Sequence, residues 1–568
     1  MGVLRLFRYY LNKYSQSKFY ISLRKVWKVN QRPEILLLDL NAIFHPCFRE
    51  IFSSDTESML RKFVAPTLEE GKKKAFETVC KKVMEIVNIM CPTKCIYLAI
   101  DGVAGCCKQS QQRKRRFMSS KTRKEGEFDY SILTCGTELM QELSTYIEEF
   151  VKEKSMKEWS YLKIIFNGVN VPGEGEHKLI RYLQDNLNMY NSSCIYSPDA
   201  DLIMLGMTLQ IKRLTILREN IYKDIRGDYI LVILDKLKQL IIDDIRWESI
   251  SIKFEEHRAI KDYVLFLFMI GNDFLPHMKG LDIYTKEIDE SGISKLILYY
   301  LDSIINNIDH TEDISQGGYL LDENNNIRKE SIEMLFDEIS RYEVKNILDN
   351  FNKTKSIHID KLVNSNIKII EDKIQGSGSI EVLDFDKFRR EYYEQKLGIV
   401  YTIEEEFQKK INIICEEYIK GLSFVIKYYT RNIPTYDWYY PYHYCPLAID
   451  IKNYLKNIKE INQVFIYKPP LNQLENLVSV LPPSSWWMLP SEVNNDLRKR
   501  VVIDQDFQEE FDIDMDGKIQ DYEGIPILNM IHYNKVKLLC KKHIHLTPEL
   551  NKYNGVIEFR KGYIKYIQ

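Results

Sequence analysis

Short apolar runs alternate with acid-bearing polar clusters along the first half of the chain. ILLL (35–38) leads into Asp39, CIYLAI (95–100) into Asp101, CIYS (194–197) into Asp199 and Asp201, and VLFLFMI (264–270) into Asp273. Runs this short predict buried strands; for VLFLFMI a helix fits equally well, because periodicity does not separate the two. A fifth cluster, PGEGEH, sets Glu174 and Glu176 on a Gly-rich turn. The expectation is that all of these acids stand at strand ends. The alternation predicts an α/β domain, a mostly parallel central sheet flanked by helices, over residues 1–305. Residues 306–384 read as a polar linker of helices and loops, with GSGS at 376–379, and residues 385–568 as a second, α-rich bracing region.

The carboxylates change the picture from architecture to chemistry. Side chains at the C-terminal ends of parallel strands converge on the crevice of an open sheet. One such Asp is usually a turn former or a helix cap. Seven that converge cannot all stay charged without a counter-ion, because like charges raise each other's pKa. An all-oxygen donor set points to Mg²⁺, with Mn²⁺ as substitute, rather than to zinc. Asp39, Asp101, Glu174, Glu176, Asp199, Asp201 and Asp273 are therefore the candidate metal ligands and catalytic residues. Two divalent ions held about 3.5–4 Å apart are the arrangement that phosphodiester hydrolysis uses.

Charge adds a second feature. The chain is nearly neutral, with a formal net charge of −2, yet Lys108–Lys124 (KQSQQRKRRFMSSKTRK) holds eight Lys or Arg and no acid. Such a run alone is commonly a solvated face or a localisation signal. Here Lys108, Gln112, Arg115 and Arg116 recur at helical spacing and share one face. Guanidinium forks, an amide and an ammonium on one face make a pocket for a terminal phosphate.

AIDGVA…KQSQQRKRRF, FNGVNVPGEGEHKLIRYL, YSPDADLIMLGM, ILREN, IGNDFLPH and WYYPYHYCP together resemble the Xrn family of 5′→3′ exoribonucleases, in the family's order and over nearly the whole chain. The resemblance implies a fold of the PIN or flap-nuclease kind. It also implies processive, Mg²⁺-dependent hydrolysis of single-stranded RNA bearing a 5′-monophosphate. The seven acids match the family's metal ligands, and Lys108, Gln112, Arg115 and Arg116 match its 5′-phosphate pocket. His45 matches a histidine that stacks on the first base. Its usual partner is a Trp of a Trp-x-Trp-Tyr-Tyr-Pro segment, which here reads Tyr436-Asp437-Trp438-Tyr439-Tyr440-Pro441; Trp438 retains the second indole and Tyr436 replaces the first. Where the family has Pro-Arg-Ala before the pocket lysine, this chain has Gly105-Cys106-Cys107, which removes one cation. His177, after Glu176, reads as a helix-start residue before it reads as a general base.

The remaining features narrow the class. Asp512-x-Asp514-x-Asp516-Gly517 with Glu523 fits the spacing of a calcium-binding EF-hand loop. Gly524 and Pro526 forbid the exiting helix such a loop needs, so calcium is not expected. Eleven dispersed cysteines predict reduced thiols rather than a disulfide framework. No apolar run reaches the ~18 residues a membrane span needs. The absence of a zinc knuckle between ILREN and GNDF tilts the expected location to the cytoplasm over the nucleus. The expected partners are RNA and decapping or other RNA-decay factors, with the chain itself a monomer. Two other functions compete: a flap-type, structure-specific DNA nuclease, and an inactive RNA-binding scaffold.

Overall fold

A computed structural model of the chain describes all residues except 1–2, 4, 26–28, 54–65, 249–253, 284–286, 309–317, 372–378, 502–504, 544, 546–555, 561–562 and 568. Its strands, in chain order, are β1 (Tyr20–Leu23), β2 (Ile35–Asp39), β3 (Cys95–Ala99), β4 (Lys163–Asn167), β5 (Ser193–Tyr196), β6 (Leu214–Glu219), β7 (Tyr229–Ile233), β8 (Ile367–Glu371), β9 (Ser379–Leu383), β10 (Ile513–Asp514), β11 (Ile525–Pro526), β12 (Val556–Arg560) and β13 (Tyr563–Ile567). Among the described residues, nine of them form one sheet in the order β1-β7-β6-β5-β2-β3-β4-β12-β13. The five inner strands β6, β5, β2, β3 and β4 run parallel. Both edges are closed by antiparallel strands. The expected α/β class and mostly parallel sheet are what the chain forms.

The central strands β2 and β3 are near-continuous apolar runs because both faces of the sheet are covered. Ile35 and Leu37 of β2 enter one core layer with Tyr97 and Ile195. Leu36 and Leu38 enter the other with Ile96, Leu98 and Tyr196. Successive side chains of a strand point to opposite faces, so one run of Leu and Ile supplies both layers.

The strand order reverses beside β2. The chain steps from β2 to β3 to β4 in one direction, then returns to place β5 on the other side of β2. That reversal opens a crevice at the C-terminal ends of β2 and β5, where ligands of open α/β sheets bind. In register, Leu38 lies opposite Tyr196 and Asp39 opposite Ala99, so Asp39, Asp101 and the SPDAD loop emerge on the same rim.

Two expectations change. VLFLFMI is not a strand: Glu256–Leu267 is an α-helix, continued by a 3₁₀ turn over Phe268–Ile270. This run is buried among other helices on all sides, which accounts for its uninterrupted hydrophobicity. Asp273 therefore follows a helix end rather than a strand. Glu174 and Glu176 do not end a strand either; six residues separate Asn167 at the end of β4 from Glu174. The segment expected as helices and loops contains the long helix Lys329–Thr354 and also the hairpin β8–β9. Residues 376–378 of GSGS lie outside the described residues. Beyond them, the helices Phe385–Leu397, Glu404–Thr430 and Ala448–Asn457 pack into the core layer that holds Ile35 and Leu37. The C-terminal hairpin β12–β13 then returns to the sheet against β4. The EF-hand-like segment holds only the two-residue pair β10–β11 and a 3₁₀ turn over Asp521–Glu523. Asp514 and Asp516 grip Lys396 there, at 2.6 and 2.9 Å.

A tight backbone clamp joins two acid-bearing loops. The Gly102 N–H donates to the Gly173 carbonyl, and the Gly173 N–H donates to the Val103 carbonyl, each at 2.9 Å. A Cβ at residue 102 would lie 1.8 Å from the Val171 carbonyl oxygen. Gly102→Ala is therefore expected to cost about 1–3 kcal/mol of stability through backbone displacement, read as a lowered urea midpoint. An unchanged midpoint would mean that the clamp yields freely.

Candidate active site

The rim at the crevice is built from helix starts as well as strand ends. Asp39 ends β2 and is separated from the helix Asn41–Phe52 only by its N-cap residue Leu40. Glu174 occupies the N-cap position of the helix Gly175–Asp185 without a capping side-chain hydrogen bond, Glu176 lies in its first turn, and Asp201 is the first residue of the helix Asp201–Thr208. Helix N-termini carry unpaired N–H groups and partial positive charge, which favours carboxylates at these positions.

Gly175 shows how closely the acids meet. Its N–H donates to Asp101 Oδ1 at 2.6 Å. A Cβ there would stand 3.2 Å from both Asp101 Oδ1 and Asp39 Oδ1. The glycine is what allows the PGEGEH backbone to sit against two carboxylates at once. Asn41 links the same two: its backbone N–H donates to Asp39 Oδ1 at 3.2 Å, and its side-chain oxygen accepts from the Asp101 N–H at 2.9 Å. Ser197 spans β2 and the SPDAD loop, donating to Asp39 Oδ2 at 3.4 Å and accepting from the Asp199 N–H at 3.3 Å.

The charges of all seven acids act on one another. Burial, then the Asp101 and Asp199 charges, hold the Asp39 pKa well above the carboxylate range. Burial and Glu174 raise Asp101. Glu176 is raised well above its usual value by burial and by Glu174, Asp201 and Asp199. Asp201 is pushed up to about 7, first by burial and then by the Asp273 charge. The sequence reading expected such convergence, and the structure brings these seven together.

Lys108 sits inside this group. Its ammonium contacts Glu174 Oε2 at 2.6 Å and Asp273 Oδ2 at 2.8 Å. Burial disfavours that charge, but Asp273, Glu174, Glu176 and Asp201 outweigh it and raise the lysine well above its ordinary pKa. The basic stretch is helical over Cys106–Thr122, as its spacing predicts. Its first turn delivers Lys108 to the acids. Arg116 is buried and donates to Gln112 Oε1 at 3.3 Å, and Arg115 next to it is exposed. His45 is near both arginines: burial, then Arg115, Arg49 and Arg116, hold its pKa down to about 3. Histidine, amide and arginines thus gather beside the acidic cup.

Trp438 lies in the core behind the cup, joined to Tyr428 through Phe424. It is 8% exposed, stacked on Phe424 at 4.4 Å between ring centroids and edge-on to Phe465. Tyr436 is half-buried and edge-on to Tyr467, with its hydroxyl beside Gly173.

Side chains that the sequence reading did not name also shape the cup. The Tyr428 hydroxyl donates to Glu174 Oε1 at 2.5 Å, and its ring stacks on His177 at 3.8 Å. Burial holds His177 down to about 4, so it is neutral at pH 7. Tyr428 comes from the far end of the helix Glu404–Thr430, more than 250 residues from Glu174, and no local pattern marks it. Lys178 donates to the Ile100 carbonyl at 2.6 Å and the Gly168 carbonyl at 3.3 Å, tying the Asp101 loop to the Glu174 loop. Its spacing from Glu174, one helical turn, was the available signal.

The donor chemistry fits a hard divalent cation. Asp201 Oδ1 is buried with no hydrogen-bond partner among the described residues. Ligand atoms of Glu174, Glu176 and His177 lie within 4.8 Å of one another. An orphaned buried carboxylate oxygen among neighbours with raised pKa values is stabilised by a cation.

Residues 1–127 and 120–220 match the family described as XRN 5'-3' exonuclease N-terminus, and residues 253–377 and 381–555 match the Xrn1 helical domain. The chain belongs to the Xrn family. It is 27% identical to human 5'-3' exoribonuclease 1, over 94% of this chain and 33% of the relative. For 5'-3' exoribonuclease 1 of Saccharomyces cerevisiae the figures are 24%, 97% and 44%. For 5'-3' exoribonuclease 2 of Debaryomyces hansenii they are 25%, 90% and 66%. The chain thus spans between a third and two thirds of the length of these relatives. Among solved structures, the catalytic core of Rad2 in complex with DNA matches at 13% identity and a TM-score of 0.31, over 72% of this chain and 99% of that one.

The Asp201 environment sets a pH dependence. Folded, this carboxyl holds its proton up to about pH 7; unfolded, it releases it near pH ~4. Between those values the folded state binds more protons, so its stability falls as pH rises. In EDTA, Asp201→Asn is expected to be about 2–4 kcal/mol more stable than the parent at pH 8, with the gap closing towards pH 4. Urea titrations at both pH values check this, and a gap that does not vary with pH would contradict it.

Proposed function

We propose that this chain is a processive 5′→3′ exoribonuclease that hydrolyses single-stranded RNA bearing a 5′-monophosphate. The single observation that carries this reading is the gathering of the acidic cup and the basic helix around one point, with Lys108 in contact with both. The names of the relatives support the direction and the substrate class. Among the described residues no helix is long and apolar enough to cross a membrane.

In this reading Asp39, Asp101, Glu174, Glu176, Asp199, Asp201 and Asp273 would hold two Mg²⁺ ions, with Mn²⁺ as substitute. When bound, such ions neutralise the charge that develops on the scissile phosphate and activate water. The protein's own contribution is position. Arg115, Arg116 and Gln112 receive the terminal phosphate, the arginines through planar donor forks. His45, neutral at pH 7, offers an uncharged ring to the first base, and base stacking contributes ~1–3 kcal/mol without reading sequence. Trp438 and Tyr436 are the aromatic residues assigned to the opposite side, Trp438 through the packing that orients the segment. Fixing the first nucleotide at both phosphate and base sets the next phosphodiester over the acids, converting encounter into an intramolecular geometry. Lys108 restrains the cup by holding Glu174 and Asp273. Residues 385–568 close the site that residues 1–305 build, with Tyr428 as the contact, and residues 306–384 join them. We place the enzyme in the cytoplasm, as a monomer served by decapping or other decay factors.

A 5′-end-dependent degradation assay with matched RNA and DNA oligonucleotides, with and without Mg²⁺, tests this. RNA is expected to be degraded only with the metal; preferential cleavage of DNA flaps would favour the flap-type nuclease instead. The double variant Asp199→Ala and Asp201→Ala is expected to lose hydrolysis by more than about a thousandfold while retaining RNA binding in a filter assay. Full activity in that variant would end the assignment of the acids. Arg115→Ala with Arg116→Ala is expected to erase the preference for 5′-monophosphate over 5′-hydroxyl ends, and a preserved preference would refute the phosphate pocket.

A further inference from the structure

The basic helix has a second working flank. Lys108, Gln112 and Arg116 follow one line along Cys106–Thr122, and Ser110, Lys114 and Met118 lie on the side turned away from it, with Arg115 between. That second flank lines a cavity of about 870 Å³, which also touches Asp273 and the 517–526 loop. Its size is within the range of small-molecule sites, about 300–1,000 Å³.

The cavity wall holds polar groups with no use in the fold. Among the described residues the Lys114 ammonium makes no hydrogen bond or ion pair, and burial alone pushes its pKa down to about 8. The Lys518 ammonium likewise makes none, and lines the same space. His443 Nε2 donates to the Leu528 carbonyl at 2.7 Å, so Nδ1 keeps its lone pair, and that atom is buried without a partner. Two of the wall's acids have partners of their own, Glu523 with Arg5 at 2.8 Å and Asp282 with Asn350 at 2.7 Å, and both also attract the Lys518 charge. Tyr442, half-buried, and Tyr522, exposed, present rings to the opening. Two cations without a hydrogen bond or ion pair and part-exposed aromatic rings match a ligand with a phosphate and a flat base.

We propose that this cavity is a nucleotide site distinct from the 5′-phosphate pocket, which receives the nucleoside 5′-monophosphate released beside Asp273. Lys114 and Lys518 draw in its phosphate, and Tyr442 or Tyr522 covers its base. Arg115 stands between the two flanks and bridges the two phosphate positions. The exoribonuclease reading is needed only to supply the ligand; the site itself rests on the cavity.

The test is calorimetric titration of the full chain with adenosine 5′-monophosphate in EDTA, so that no hydrolysis enters the measurement. Two binding events are expected in the parent, one at each site: Arg116→Ala weakens the event at the 5′-phosphate pocket and leaves the other, which Lys114→Met and Lys518→Met each weaken about tenfold or more and Lys114→Arg retains. Adenosine and inorganic phosphate are each expected to bind more weakly than the nucleotide. Absence of nucleotide binding, binding indifferent to both lysines, or loss of all binding in Arg116→Ala would overturn the site. A chain that degrades no RNA but binds the nucleotide through Lys114 would sink the hydrolytic reading alone.

Discussion

Repulsion among buried carboxylates is the constraint to which the rest of the structure answers. Seven acids share one rim, and burial and mutual repulsion raise the pKa values of several of them. Bringing them together costs folding free energy, because each charged form is desolvated and faces like charges. The chain offsets this with the Lys108 ammonium between Glu174 and Asp273, with the Lys178 charge near Asp101, with helix N-termini under Glu176 and Asp201, and with backbone donors such as Gly175. None of these removes the repulsion. That remainder is the physical reason a site of this kind takes up divalent cations, and it makes metal binding and stability one linked quantity.

The second region takes part in this electrostatic centre. Tyr428 reaches across from the helix Glu404–Thr430 to donate to Glu174, and stacks on His177 as it does so. Lys396 neutralises Asp514 and Asp516 on the far side of the 870 Å³ cavity's loop. The C-terminal hairpin pairs with β4, so the two ends of the chain complete one sheet. The acidic cup is therefore an interface property, held by segments hundreds of residues apart.

Much of this was legible along the chain. Two-sided burial wrote β2, β3 and β5 as short apolar runs, and helical spacing wrote the basic helix, so these could be found without coordinates. The acids were found because each follows a strong local signal. VLFLFMI was ambiguous for a physical reason: an element buried on every side has no polar face, and a helix and a strand then look alike. Trp438 stands among aromatic residues whose composition fits a core and a binding site equally, and only the Phe424 stack shows where its ring lies.

Residue types and their spacing determined on their own that there would be a parallel sheet, a basic helix and a convergent set of acids, although not that Glu174, Glu176 and Asp273 stand away from strand ends. They also determined family membership, because the motifs recur in order. Only the tertiary structure decided that Lys108 turns into the acids, that Tyr428 seals Glu174, and that the back flank of the basic helix faces an open cavity. Those outcomes depend on which distant segments pack against which. Side-chain direction at such a contact is set by the partner, and the partner is not encoded within any local window.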